Sequence, residues 1–160
     1  SFNYTRTLQQ LYGVSDEKIV HIHGEAAQDE SEIILGHSWN PEEIPDLNNV
    51  PDPENMDTRV MEGNELINSY FSVTFKPSKK IIEDNIDFFS NLEGIQRVYV
   101  LGHSLSEVDL PYFEIIAKNI NYNSKWIVTY YGDEELARHK NTINGLGVEN
   151  VMFCDLSGVE

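Results

Sequence analysis

Arg97-Val98-Tyr99-Val100-Leu101-Gly102-His103-Ser104 is a β-branched and aromatic run that stops at a glycine followed by polar residues. Such a run predicts a strand ending in a tight loop. Beyond it, Val108, Tyr112, Phe113, Ile115, Ile116 and Ile120 recur at helical spacing. Asp109 stands where an N-cap belongs and Pro111 in a first turn, with Ser106 and Asp109 spaced like a capping box. Trp126 to Tyr131 predicts a second strand, Glu134 to Ile143 a helix stopped by Asn144-Gly145, and Val151-Met152-Phe153 a third strand. The order βαβαβ implies parallel strands joined by right-handed crossovers. The expected fold is α/β: a partial Rossmann-like, doubly wound, mainly parallel sheet with flanking helices.

Toward the N-terminus the texture is less regular. Arg6 to Tyr12 predicts a short helix ended by Gly13, and Lys18 to Ile22 and Ile33 to Leu35 predict two strands. Residues 38–57 hold Pro41, Pro45, Pro51 and Pro53 among acidic and amide residues, which predicts an acidic loop or lid. A helix is expected over Asn64 to Phe75. Another, capped by Ser78, would run through Leu92 with Ile81, Ile82, Ile86, Phe89 and Leu92 as its buried stripe. No internal repeat is expected. The polar opening Ser1 to Thr5 feeds a helix at once, as the exit of a strand does. Residues 1–160 are therefore expected to form a single domain that starts midway, its first strand or strands lying upstream.

The chain has 160 residues, enough for one domain with a real core, and 40% are hydrophobic. Eleven Lys and Arg oppose 27 Asp and Glu, a net charge of −16. That balance argues against direct nucleic-acid binding, which needs basic patches. A dinucleotide would be held by backbone N–H groups rather than by cationic side chains. One cysteine, Cys154, forms no internal disulfide and builds no thiolate zinc cluster. No apolar run spans a membrane and no leader is visible, so a cytoplasmic location is expected.

Ligands of open α/β sheets bind at the carboxyl ends of the strands. Five polar clusters are expected there: Asn3-Tyr4-Thr5, His23-Gly24-Glu25, Gly102-His103-Ser104, Tyr131-Gly132-Asp133 and Cys154-Asp155. On a strand, His21 and His23 would share one face with Ile22 in the core. His21 reads as a hydrogen-bonded structural histidine. His23, followed by the permissive Gly24, is the candidate general base. Gly102, His103 and Ser104 would offer N–H and hydroxyl groups to a phosphate or ribose, helix capping being the alternative for the serines. The spacing of His21, His23, His37 and His103 matches no metal motif, and no metal is expected.

Taken in order, Phe2-Asn3-Tyr4-Thr5, Leu11-Tyr12-Gly13, His21-Ile22-His23-Gly24, Ile34-Leu35-Gly36-His37 and Leu101-Gly102-His103-Ser104-Leu105, with Asp109 and Tyr112-Phe113, resemble the bacteriophage abortive-infection AbiH family. That family is in turn similar to sirtuin-like domains. The resemblance matches Asn3 to the asparagine of the TQNID motif, His23 to the catalytic histidine before glycine, and Gly102, Ser104 and Leu105 to the GTSL loop. It implies an NAD site. Asn3 would orient water or ribose, and His23 would take a ribose hydroxyl proton as an oxocarbenium-like state forms. Thr5, Gly24, Gly102, His103, Ser104, Tyr131 and Asp155 would contribute to binding. Thr5 replaces the motif aspartate and His103 the loop threonine, and the zinc cysteines of protein deacylases are absent. The glycine-rich phosphate loop would lie before Ser1, so this chain by itself is expected to be inactive or feeble. Two functions follow from the resemblance: an NAD glycohydrolase of phage defence, or a non-catalytic nucleotide sensor or protein-interaction module. A protein partner or a homo-oligomer is compatible with either.

Overall fold

In the computed structural model, which describes residues 1–26, 33–43 and 45–157, the chain divides into two units, Ser1–Pro77 and Ser78–Glu160. No helix among the described residues is long and apolar enough to cross a membrane.

The unit Ser1–Pro77 opens with helix α1 (Thr7–Tyr12), ended as expected by Gly13 in the left-handed region at φ 64°. The Gly13 N–H donates to the Gln9 carbonyl at 3.1 Å, a helix-terminating bond. Arg6, just before the helix, bridges Asp16 at 2.7 Å and Glu25 at 2.8 Å. The guanidinium, followed by the Gln9 amide, holds the Asp16 carboxyl below its usual range.

Neither strand expected in this unit forms. Asp16–Lys18 is a 3-10 turn, and His21 to Gly24 closes another turn through Gly24 N–H to the His21 carbonyl. The stretch after Lys18 makes scattered bonds: Ile22 N–H to Ser1 O, Ala26 N–H to Tyr4 O and Ile34 N–H to His23 O. Strand propensity describes side chains suited to a pleated surface, and without a continuous partner no ladder forms. Part of the expected segment Ile33 to Leu35 adjoins residues 27–32, which lie outside the description. His21 and His23 therefore do not share a strand face. Ile22 is buried as expected, and His23 is buried beside it.

Helix α2 (Thr58–Val73) begins at Thr58 rather than Asn64, because the Asp57 carboxylate caps it by accepting the Arg59 N–H at 2.9 Å. It stops at Val73, which frees Phe75 for an isolated parallel bridge with His37. The loop 38–57 is fastened to α2 by amides one turn apart. Asn64 donates to the Leu47 carbonyl and to Asn48, and Asn68 donates to Asp46 at 2.7 Å and accepts the Leu47 N–H. These side chains satisfy backbone groups that an irregular loop cannot pair with itself.

The unit Ser78–Glu160 begins with two helices, α3 (Ser78–Asp84) and α4 (Ile86–Ser90), in place of one through Leu92. The break is Asn85, whose side-chain amide donates to the Ile81 carbonyl at 2.8 Å. Asparagine competes with the helix for backbone partners. After the break Ile86 is 47% exposed, while Ile81, Phe89 and Leu92 stay buried. Ser78 is the first helical residue rather than a cap, and its hydroxyl donates to the Val108 carbonyl at 3.3 Å.

Then come β1 (Arg97–Val100), α5 (Leu110–Asn119), β2 (Lys125–Tyr130), α6 (Gly132–Gly145) and β3 (Val151–Asp155). The strands form an open parallel sheet in the order β1-β2-β3. Val98, Trp126 and Val151 stand in one row, and Val100, Val128 and Phe153 in another. Trp126 through Thr129 are all buried, the pattern of a central parallel strand covered on both faces. The flanking strands are more open, with Tyr99 57% and Met152 42% exposed. Helix α6 packs on β2, and α3 and α4 pack on α5. Pro111 lies in the first turn of α5 as expected. Asp109 occupies the N-cap position but its carboxylate makes no cap bond, so the expected capping box does not form.

Candidate functional site

The carboxyl ends of the three strands form one rim. After β1, Gly102 turns the chain at φ 59°. Its N–H donates to the Thr129 hydroxyl at 2.9 Å, and that hydroxyl donates to the Val100 carbonyl at 3.1 Å. Thr129, buried on β2, thus ties the end of β1 to the neighbouring strand. Leu105 closes the turn in the left-handed region at φ 50°, which is strained for a side chain branched at Cγ, and it is buried.

His103 holds that strained residue. The Leu105 N–H donates to His103 Nδ1 at 2.9 Å. Nδ1 is therefore an acceptor, and in the neutral ring the proton sits on Nε2, 3.4 Å from Asp109 Oδ2. The ring also packs edge-on against Phe113, with centroids 5.0 Å apart. His103 is a clasp of the loop. Ser104, at the exposed apex, makes no side-chain hydrogen bond among the described residues. We expect His103→Ala to lower stability by about 1–2 kcal/mol, the range for leaving one buried N–H unsatisfied. His103→Thr should recover part of it, because a hydroxyl can accept the N–H two residues on. Urea unfolding measures both, and equal losses in the two variants would discard the clasp.

After β2, Tyr131 is 71% exposed and its N–H is capped by Glu135 at 2.6 Å. Asp133, Glu134 and Glu135 fill the first turn of α6. Three carboxylates there cancel the attraction of a helix start for anions. One turn on, buried His139 lies 3.8 Å from Glu135. At the end of β3, Asp155 accepts the Ser157 N–H at 2.8 Å. Hydrogen bonds from Ser157 hold its carboxyl below the usual range, so it is an ionised acceptor at neutral pH. Tyr130 and Asp155 are register partners at the end of the sheet, so Asp155 shares a face with Tyr130.

The other predicted residues lie in Ser1–Pro77, where the segment Phe2 to Tyr4 runs beside His21 to Glu25. His21 Nδ1–H donates to the Asn3 carbonyl at 2.9 Å, and its Nε2 takes the Gln9 amide at 3.1 Å, with Glu25 at 3.3 Å. Both ring nitrogens are used, as a structural histidine requires. His23 is 2% exposed, with its ring edge-on to Phe2 at 5.4 Å and 6.4 Å from Tyr4. Gly24 follows at φ 86°. The Asn3 side chain is exposed, and the Thr5 hydroxyl shares a 2.8 Å hydrogen bond with Thr7. Among the described residues, no group of three or more His, Cys, Asp or Glu is placed to hold a metal ion.

Two features escaped the sequence reading. Thr129 carried no signal, being one more β-branched residue in a strand. The second had one: Leu-Gly-His-Ser occurs at Leu35 to Ser38 and again at Leu101 to Ser104. In each, the histidine Nδ1 accepts the N–H two residues on, from Trp39 to His37 at 3.0 Å and from Leu105 to His103 at 2.9 Å, although the glycines differ, Gly36 at φ 151° and Gly102 at φ 59°.

A family model described as Bacteriophage abortive infection AbiH matches residues 1–130. No curated protein and no solved structure matches the chain significantly.

Proposed function

The chain belongs to the bacteriophage abortive infection AbiH family, and from that premise we propose that it serves phage defence by binding a dinucleotide, NAD, at the rim of its parallel sheet. On this reading the three strands are half of a Rossmann-like, doubly wound nucleotide sheet. The observation that carries it is the loop from Gly102 to Leu105. Thr129 fastens one end and His103 the other, so the exposed Ser104 hydroxyl is held ready before any ligand arrives. Preorganised groups bind without the entropy cost of ordering. Ser104 and the loop backbone would take ribose and phosphate oxygens, and Asp155 would accept from a ribose hydroxyl. His103 acts on the loop rather than on the ligand.

Catalysis would be hydrolysis of the nicotinamide–ribose bond. By the resemblance to sirtuin-like domains, water would add to the ribose carbon, nicotinamide would leave with the bonding electrons, and His23 would accept a proton while Asn3 orients the water or ribose, roles that the resemblance and not the packing of the two units assigns. Asn3 and His23 lie on segments that run side by side, which supports this assignment. A second reading, a non-catalytic nucleotide sensor, is favoured by the 2% exposure of His23, because a general base has to reach its proton.

Calorimetric titration of NAD and ADP-ribose into the chain tests binding, and chromatography of the same mixtures tests turnover. Binding weakened about tenfold or more by Ser104→Ala, as expected for a lost hydrogen bond to a charged group, supports the rim. Nicotinamide release abolished by His23→Ala supports the hydrolase, whereas binding without release supports the sensor. Binding that Ser104→Ala leaves unchanged removes the rim from both readings.

A further inference from the structure

A cleft of about 240 Å³ lies within Ser1–Pro77, between α2 and the loop fastened to it. Its walls are Trp39, Phe71, Pro41 and Pro45, with Asp46 and Asn68 at its polar end. We propose that this cleft receives an arginine side chain presented by a basic segment of a partner protein.

The aromatic wall is rigid and half open. Trp39 and Phe71 lie with ring centroids 5.0 Å apart at 35°, and His37 stands edge-on to both, at 6.3 Å and 5.1 Å. His37 also holds the backbone of Trp39 through its Nδ1. Yet Trp39 remains 54% exposed. An exposed indole face, fixed from behind, attracts a cation by its quadrupole, tryptophan more than the other rings.

The polar end is equally fixed. Asp46 Oδ1 accepts the Asn68 amide and the Asn48 N–H, each at 2.7 Å, which orients the carboxylate and leaves Oδ2 without a hydrogen bond among the described residues. No Lys or Arg lines the cleft. An apolar occupant would have to strip water from Asp46 with nothing in return. A guanidinium instead offers a flat face to Trp39 and N–H donors to Oδ2, a match that an ammonium lacks. Exposed Glu42 and Glu43 on the same loop, in a chain of net charge −16, favour a basic segment around that arginine.

The test uses the whole chain and three blocked amino acids: N-acetyl-arginine amide, its neutral isostere N-acetyl-citrulline amide, and N-acetyl-norleucine amide. Trp126 is 1% exposed, so changes in tryptophan emission report Trp39. A saturable change with arginine is expected, about tenfold weaker with the neutral compounds and weakened by added salt. A peptide carrying one arginine between lysines should bind more tightly than the blocked residue. By calorimetry, Asp46→Asn and Trp39→Leu should each weaken that peptide about tenfold or more. Both positions are exposed, and asparagine keeps the oxygen that Asn48 and Asn68 use, so folding should persist. Citrulline binding as well as arginine, unchanged affinity in Asp46→Asn, or saturation of the cleft by adenosine in place of arginine would each overturn the proposal.

Discussion

Trp126→Ala is expected to lower the stability of the unit Ser78–Glu160 by about 3–5 kcal/mol, the range for removing a large buried aromatic side chain. Trp126 is 1% exposed on the central strand, flanked in register by Val98 on one side and Val151 on the other. Its row and the next, Val100 with Val128 and Phe153, form one apolar face of the sheet. Removing the indole takes away the transfer energy of the ring and leaves a void that parallel strands, hydrogen-bonded along both edges, cannot collapse to fill. Urea unfolding followed by far-ultraviolet circular dichroism measures the effect without relying on the lost fluorophore. Trp126→Phe should recover roughly half of it, whereas the half-exposed Trp39 should tolerate leucine within about 1 kcal/mol. A Trp126→Ala cost below 1 kcal/mol would mean that the sheet is not the core of this unit.

Gly36→Ala should damage the unit Ser1–Pro77 more than its single methyl suggests. Gly36 has φ 151°, and a Cβ there would overlap the carbonyl oxygen of Thr74 and approach its carbonyl carbon to 2.9 Å. Those atoms are backbone and cannot swing aside as a side-chain tip can. The bridge beside them would have to open, with loss of His37 N–H to Thr74 O at 3.0 Å and Lys76 N–H to His37 O at 2.9 Å. Two backbone hydrogen bonds at about 1 kcal/mol each, together with the strain, predict a loss of about 2–4 kcal/mol. Amide exchange gives the sharper readout: His37 and Lys76 should lose protection in the variant while Val128 keeps it. Unaltered protection at His37 would show that the bridge yields without breaking. By contrast Gly13 and Gly102 have open space where a Cβ would go, and there only the positive φ opposes substitution.

The order and type of the elements from Arg97 to Asp155 were legible in the sequence, because each is announced by neighbours along the chain. Val98 and Val100 alternate, Tyr112, Phe113 and Ile116 recur at helical spacing, and Gly102 and Gly132 punctuate. The helix start at Thr58 and the break at Asn85 were legible only in hindsight. Each hangs on whether one side chain, Asp57 or Asn85, turns to its own backbone. The strand expectations around Ile22 and Ile34 failed for a deeper reason. Propensity is a property of a segment, whereas a strand exists only when another segment pairs with it. The tertiary structure decided that pairing, and it offered the stretch Lys18 to Ala26 only scattered partners.

The candidate site divides in the same way. The sequence by itself determined which residues stand at the ends of the strands: Gly102 to Ser104, Tyr131 and Asp155. It also determined that His23 precedes a glycine. Only the tertiary structure decided what those residues are free to do. It spent both nitrogens of His21 on Asn3 and Gln9, engaged His103 Nδ1 with the Leu105 N–H, buried His23, and recruited Thr129 to hold Gly102. A side chain's chemistry is set by the partners that occupy its donors and acceptors. Those partners come from other parts of the chain, so periodicity and spacing cannot reveal them.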